Sequence, residues 1–314
     1  MVFKKRKGAI ELSFGWLFAI IAGIVIIFLA LYLSSKLIGT QQQTVNAETG
    51  KEIGILLNPL ETSFESAQTT SMTIPVESKI EDKCDTKGNF GNQIIQVEQK
   101  SFGKWTQTDV NIKFENKYIF LDNQTEGKKF YIFSKPFYFP FKVADLIYIS
   151  SSNQVYCFVD APSNIKEEIS NLNQANLLTE NCSEGNIKVC FERDNCEVNV
   201  NYQQGFLEKN KTMYYFSGIG EDYKTLMYAA IFSDKAVYEC QIKRLMMRTG
   251  EIALIYSEKE SLTKKAGCDE NLGTDMNIMN GLTSGLNNSE EIGVIGAQAD
   301  NINAKNNGRM CLLW

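Results

Sequence analysis

The sequence predicts an α+β protein carried on a single N-terminal transmembrane helix. Three observations predict it. An uncharged apolar run extends from Leu12 to Leu33, β-rich segments fill the stretch from Thr70 to Ser151 before helical periodicity takes over, and eight cysteines all lie beyond the apolar run. Hydrophobic residues make up 44% of the 314 residues and aromatic residues 11%, enough apolar material for a substantial core outside the membrane segment.

Residues 1–8 read as a basic cytoplasmic leader and residues 9–35 as the transmembrane helix. About 20 apolar residues at roughly 1.5 Å each cross a hydrocarbon core of about 30 Å. Lys4, Lys5, Arg6 and Lys7 precede the run and only Lys36 follows it closely, so the N-terminus is expected in the cytoplasm and the remainder outside. The run is longer than the core of a cleaved secretory signal, and its exit "LALYLSSK" carries no small-residue cleavage pair. The anchor is therefore expected to stay.

Residues 36–68 are expected to continue as an amphipathic helical stalk. Leu37, Val45, Ile53, Leu56, Leu57 and Leu60 recur at largely helical spacing, with Gly39 or Gly50 as candidate breaks and Pro59 near the end.

Residues 69–314 form the extracytoplasmic α+β domain. "NQIIQVEQKSF", "DVNIKFENKYIFL" and "KKFYIFSKPFYFPFKVADLIYIS" read as strands of a mainly antiparallel sheet, separated by turn-forming pieces. A helix from Ile165 to about Leu178, with Asn164 and Glu167 at capping-box spacing, is expected to pack on it through Ile165, Ile169 and Leu172. "DLIYISSSNQVYC" is similar to "TLMYAAIFSDKAVYEC"; the pair reads as chance or as two related halves. The second of these leads into a helix with Leu245, Met246, Ile252, Ile255 and Tyr256 as core positions, then two shorter helices, with Cys311 and Trp314 tied down.

An even set of cysteines outside a membrane reads as a disulfide framework, with too many connectivities for the sequence to choose among. One local pair stands out. "KVCFERDNCEVNV" reads as a hairpin placing Cys190 opposite Cys196. Cys157 to Cys182 is disfavoured, because a helix of about 14 residues between them spans about 21 Å.

The composition argues against several functions. The net charge of −5 becomes more acidic once the leader is set aside, which disfavours nucleic-acid binding. With no histidine, imidazole-based catalysis and most zinc sites are excluded; neither an enzyme nor a cofactor nor a metal ion is expected. "SGIGEDY" reads as a turn, and "CDENLGTD", with Asp269, Glu270 and Asp275, as a solvated acidic loop. The sequons at Asn123, Asn181, Asn210 and Asn287 are permissive for glycans. The aromatic run around Phe137, Tyr138 and Phe139 reads as a subunit contact, as a sugar-stacking surface or as a strand buried on both faces.

"KKRKG" followed by "AIELSFGWLFAII" resembles the N-terminus of type IV pilin-like proteins, including their archaeal relatives. The resemblance covers the leader and apolar helix. It implies a class III signal peptide cut by a prepilin peptidase between Gly8 and Ala9, with the apolar helix becoming a filament core. Glu11 stands third after that junction, where the family usually carries a glutamate at the fifth position. The expected protein is thus a membrane-anchored structural or adhesion subunit at the cell surface. Its partners are membrane lipid and a second helix, its own copy included, packed through Gly15, Ala22 and Gly23 where backbones approach closely. An anchored binding subunit of an envelope complex is the alternative.

Overall fold

The structure, a computed structural model, describes residues 14–57, 68–101, 103–123, 125–193, 195–216, 224–268 and 271–314. The chain divides into two compact units at Glu48–Thr49. Helix α1 (Phe14–Leu57) runs 44 residues and passes unbroken through Gly39 and Gly50. Its first 24 residues, Phe14–Leu37, are long and apolar enough to cross a membrane, and none of this stretch is buried in the protein.

The larger unit is α+β, with two mixed six-stranded sheets among the described residues. The first holds β1 (Gln68–Asp85), β2 (Asn92–Ser101), β3 (Lys104–Phe114), β4 (Tyr118–Phe120), β5 (Glu126–Tyr138) and β6 (Lys142–Ser151), in the order β3-β2-β1-β5-β6-β4. All pairs are antiparallel except β4 with β6. The β1–β5 register shifts between Thr73 and Ser78, the stretch in which Pro75 lacks the amide hydrogen a ladder needs.

Strict alternation gives this sheet two cores. Tyr118, Phe120, Phe133, Phe137, Leu146 and Tyr148 face one, whereas Ile119, Leu121, Phe130, Ile132, Ile147 and Ile149 face the other. The sheet also curls. Gln93 of β2 receives the Ile119 amide at 3.0 Å and donates to the Ile119 carbonyl at 2.7 Å, acting on edge strand β4 as a neighbouring strand would.

The first sheet is mainly antiparallel, as expected, but a second sheet adds parallel strands that the sequence did not suggest. It holds β7 (Tyr156–Val159), β8 (Leu177–Leu178), β9 (Ile187–Phe191), β10 (Val198–Asn201), β11 (Phe206–Lys209) and β12 (Thr212–Tyr215), in the order β12-β11-β10-β9-β7-β8. Its β8, β7, β9 and β10 are mutually parallel. Cys190 and Cys196 are disulfide-bonded, but not across a hairpin: Val198 lies beside Val189 in parallel. The strands are so short that the chain retreats only a few residue levels between them. Glu192 and Asn195, both at positive φ, turn it back.

Cys157 and Cys182 are also bonded, with Cα atoms 5.7 Å apart, against expectation. Helix α2 (Ser163–Leu172) is only 10 residues long, because Asn173 adopts the left-handed conformation and ends it. The chain then returns as β8 alongside Tyr156 and Cys157. Asn164 and Glu167 form no capping box, since Pro162 is the N-cap and no side chain caps it.

The proposed internal repeat does not exist in the structure. Its first arm is β6 and β7, while its second is α3 (Lys224–Phe232) and α4 (Lys235–Lys264). Asp234 fixes the start of α4 by accepting from the Val237 amide at 3.0 Å. Leu245 and Met246 of α4 are buried, but Ile255 is 62% exposed. Helices α5 (Gly273–Ser284) and α6 (Ile292–Asn307) complete the fold. Cys84–Cys240 ties β1 to α4, and Cys268–Cys311 ties the segment before α5 to the one after α6. Trp314 packs against Phe141 and Tyr256.

Candidate functional site

Gly8, Ala9 and Glu11 lie outside the described residues. Gly15, Ala22 and Gly23 lie on α1, and a Cβ added to either glycine would meet nothing within 4 Å. The surrounding side chains are apolar and open: Phe14 is 86% exposed, Phe28 72% and Ile24 61%. Left in water, each such side chain forgoes about 1.5–3 kcal/mol of burial free energy. The surface of this stretch is apolar and open on every side.

The aromatic run is core rather than interface. Phe137 and Phe139 are buried with ring centroids 5.4 Å apart, and Tyr138 is half-buried. The reason is β5 itself, which is covered on both faces, so alternation hides rings in either direction. Asp275 is likewise no solvated loop residue: it lies in α5, accepting from Lys305 at 2.6 Å and Asn301 at 3.2 Å. The "SGIGEDY" segment, Asp269 and Glu270 fall outside the described residues.

Two buried ionic clusters do structural work. Arg244 of α4 donates to the carbonyls of Phe90, Lys117 and Glu115 and to Gln241 Oε1, and its guanidinium stands 4.9 Å from the Tyr118 ring centre. Carbonyls left behind by the strand ends thereby find a donor. Glu260 accepts from Arg309 at 2.5 Å and from the amides of Asn271 and Leu272, at the start of α5. Burial alone would push Glu260 up; these amides and Arg309 outweigh it and hold the carboxyl below its usual range.

The polar surface with the shape of a site lies elsewhere. A cleft of about 520 Å³ is lined by Lys79 (β1), Trp105 (β3), Asn123, Glu126 (β5), Asn153 and Gln154 above a floor that includes Val155 and Ile187. Lys79 donates to Glu81 at 2.5 Å; that bond, aided by the charges of Glu98 and Glu126, raises its pKa against a smaller cost of burial. The wall is a fixed turn. Gln154 donates its amide to the Ser151 carbonyl, Asn153 donates its amide to Ser151 Oγ, and Asn153 Nδ2 donates to the Glu126 carbonyl at 3.2 Å. Buried Asn176 braces the turn from behind, donating to Ser150 Oγ and lying 3.3 Å from the Gln154 carbonyl. Sequence reasoning missed this cleft. The available signal was Trp105, a large indole in the polar stretch "GKWTQTD".

No family model, curated protein or solved structure matches the chain.

Proposed function

We propose that the chain is a single-pass, membrane-anchored structural or adhesion protein, assembling through its N-terminal helix as a pilin-like subunit with the disulfide-bonded α+β unit outside the membrane. The observation that carries this reading is the helix Phe14–Leu37, apolar on every side and unburied, in a chain whose larger unit has its own cores and four disulfides. Disulfides of this kind persist in oxidising compartments outside the cytosol. Close approach of a second helix at Gly15, Ala22 and Gly23 supplies van der Waals packing, the main attraction between helices in lipid. The basic residues before Gly8 hold the leader on the cytoplasmic side and mark it for a prepilin peptidase.

The test is the intact mass and N-terminal sequence of protein extracted from native membranes or from cells supplied with a prepilin peptidase. A chain beginning at Ala9 is the expected result. A chain retaining Lys4–Gly8 overturns the pilin-like reading and favours the second one, an anchored binding subunit of an envelope complex, for which the polar cleft is the supporting observation.

A further inference from the structure

The cleft is the end of a file of polar side chains set by strand register. Gln107 of β3 pairs with Glu98 of β2, Glu98 with Lys79 of β1, and Lys79 with Glu126 of β5. Directly opposite residues share a face, so this row crosses four strands on the side away from Ile80 and Val97, which are buried. Trp105 stands two residues before Gln107 and thus on the same face, with Lys100 Nζ 5.4 Å from its ring centre.

We propose that this cleft binds a neutral saccharide. Asn123, Asn153 and Gln154 carry carboxamides; with Gln154 Oε1 held by the Ser151 amide and Asn153 Nδ2 by the Glu126 carbonyl, Gln154 Nε2 remains as donor and Asn153 Oδ1 as acceptor, Asn123 offers both, and Glu126 adds a carboxylate acceptor; adjacent sugar hydroxyls need that mixture. The indole of Trp105 supplies a flat apolar face for the C–H side of a sugar ring. Among the described residues, the one cation of the lining, Lys79, is already paired with Glu81 and faces Glu98 and Glu126, so no free positive charge is offered to a ligand. A nucleic acid would need an excess of cations here, and an acidic ligand would meet Glu126 and Glu98. The wall is preorganised, which lowers the ordering cost of binding. Gly127 sits at φ +155 with Ser151 Oγ only 2.7 Å from where a Cβ would be, so β5 and the turn are locked together. The assignment is independent of whether α1 is processed or assembles.

The saccharide has two sources, a separate molecule or a glycan on the chain's own Asn123, which begins an Asn-Gln-Thr sequon and lines the cleft. The proposal commits to the separate molecule. Full-length protein in mild detergent, made in a host without N-glycosylation, is titrated calorimetrically with cellotriose, mannotriose and chitotriose. Saturable binding of at least one is expected, weakened at least about tenfold by Trp105→Ala and by Asn153→Ala and unchanged by Lys142→Ala, which lies outside the cleft. Circular dichroism and non-reducing peptide maps establish that the variants fold. No saturable heat with any of the three up to about 10 mM, or equal affinity in wild type and Trp105→Ala, overturns the proposal. Intact mass of the native protein separates the sources: an unmodified Asn123 supports the separate ligand, and a glycan on Asn123 overturns it.

Discussion

Replacing Asp82 by Asn should change how stability depends on pH between pH 4 and pH 7. Asp82 lies on β1, where Oδ2 accepts from Gln93 Nε2 at 2.7 Å, while Oδ1 is buried without a hydrogen-bond partner among the described residues. Burial, with a smaller contribution from the like charge of Asp234, raises its pKa from 3.8 to about 7 despite the Gln93 bond and Arg244. The folded state therefore binds this proton more tightly than the unfolded chain does. The stabilisation is full below pH 3.8, falls as pH rises, and is lost once pH passes about 7. At about 1.4 kcal/mol per pH unit the full swing is on the order of 4 kcal/mol. Asn keeps an acceptor for Gln93 and never ionises. In urea unfolding of the detergent-solubilised chain, the advantage of Asp82→Asn over wild type should grow between pH 4 and pH 7 and level off above it. Parallel stability curves for the two proteins across that range would refute the argument and place Asp82 in contact with water.

Arg244→Met should destabilise the chain by about 3–5 kcal/mol in the same assay, because several buried carbonyls lose their donor. Arg244→Lys should recover little, since an ammonium cannot reach Phe90, Lys117 and Glu115 together. The double variant Cys84→Ser, Cys240→Ser opens a loop of 156 residues and should cost about 4–5 kcal/mol on the chain-entropy account. Alkylation of the unreduced wild-type protein should modify none of the eight cysteines, as all are paired.

What was legible in the sequence was local. The apolar helix follows from a run of Leu, Ile, Val and Phe, and the inward face of α2 from the spacing of Ile165, Ile169 and Leu172, all buried. Asn173 ends that helix early because a single residue took the left-handed conformation, a choice that periodicity does not encode. The parallel strands escaped notice because segments of two to five residues, such as Leu177–Leu178 and Val198–Asn201, are too short to show a pattern. Pairing there is decided by crossovers through α2 and by tight loops. The cleft escaped for a related reason. Lys79, Trp105, Glu126 and Gln154 meet only once the registers of β1, β2, β3 and β5 are set, and no short motif joins them.

The bonds Cys84–Cys240 and Cys268–Cys311 also determine how the larger unit would behave under tension. Pulled between Gln68 and Trp314, a fully unravelled chain would carry force along residues 68–84, cross to 240, follow the backbone to 268 and cross again to 311. Everything between those crossings, including both of the smaller disulfide loops or the paired helices α5 and α6, is bypassed. The extended path is about 50 residues, or roughly 170 Å, instead of the roughly 850 Å of an uncrosslinked chain. Mechanically the unit is a short leash: shear can peel the first strand and load α4, Arg244 included, but strands β2 to β12 and helices α5 and α6 lie off the line of force.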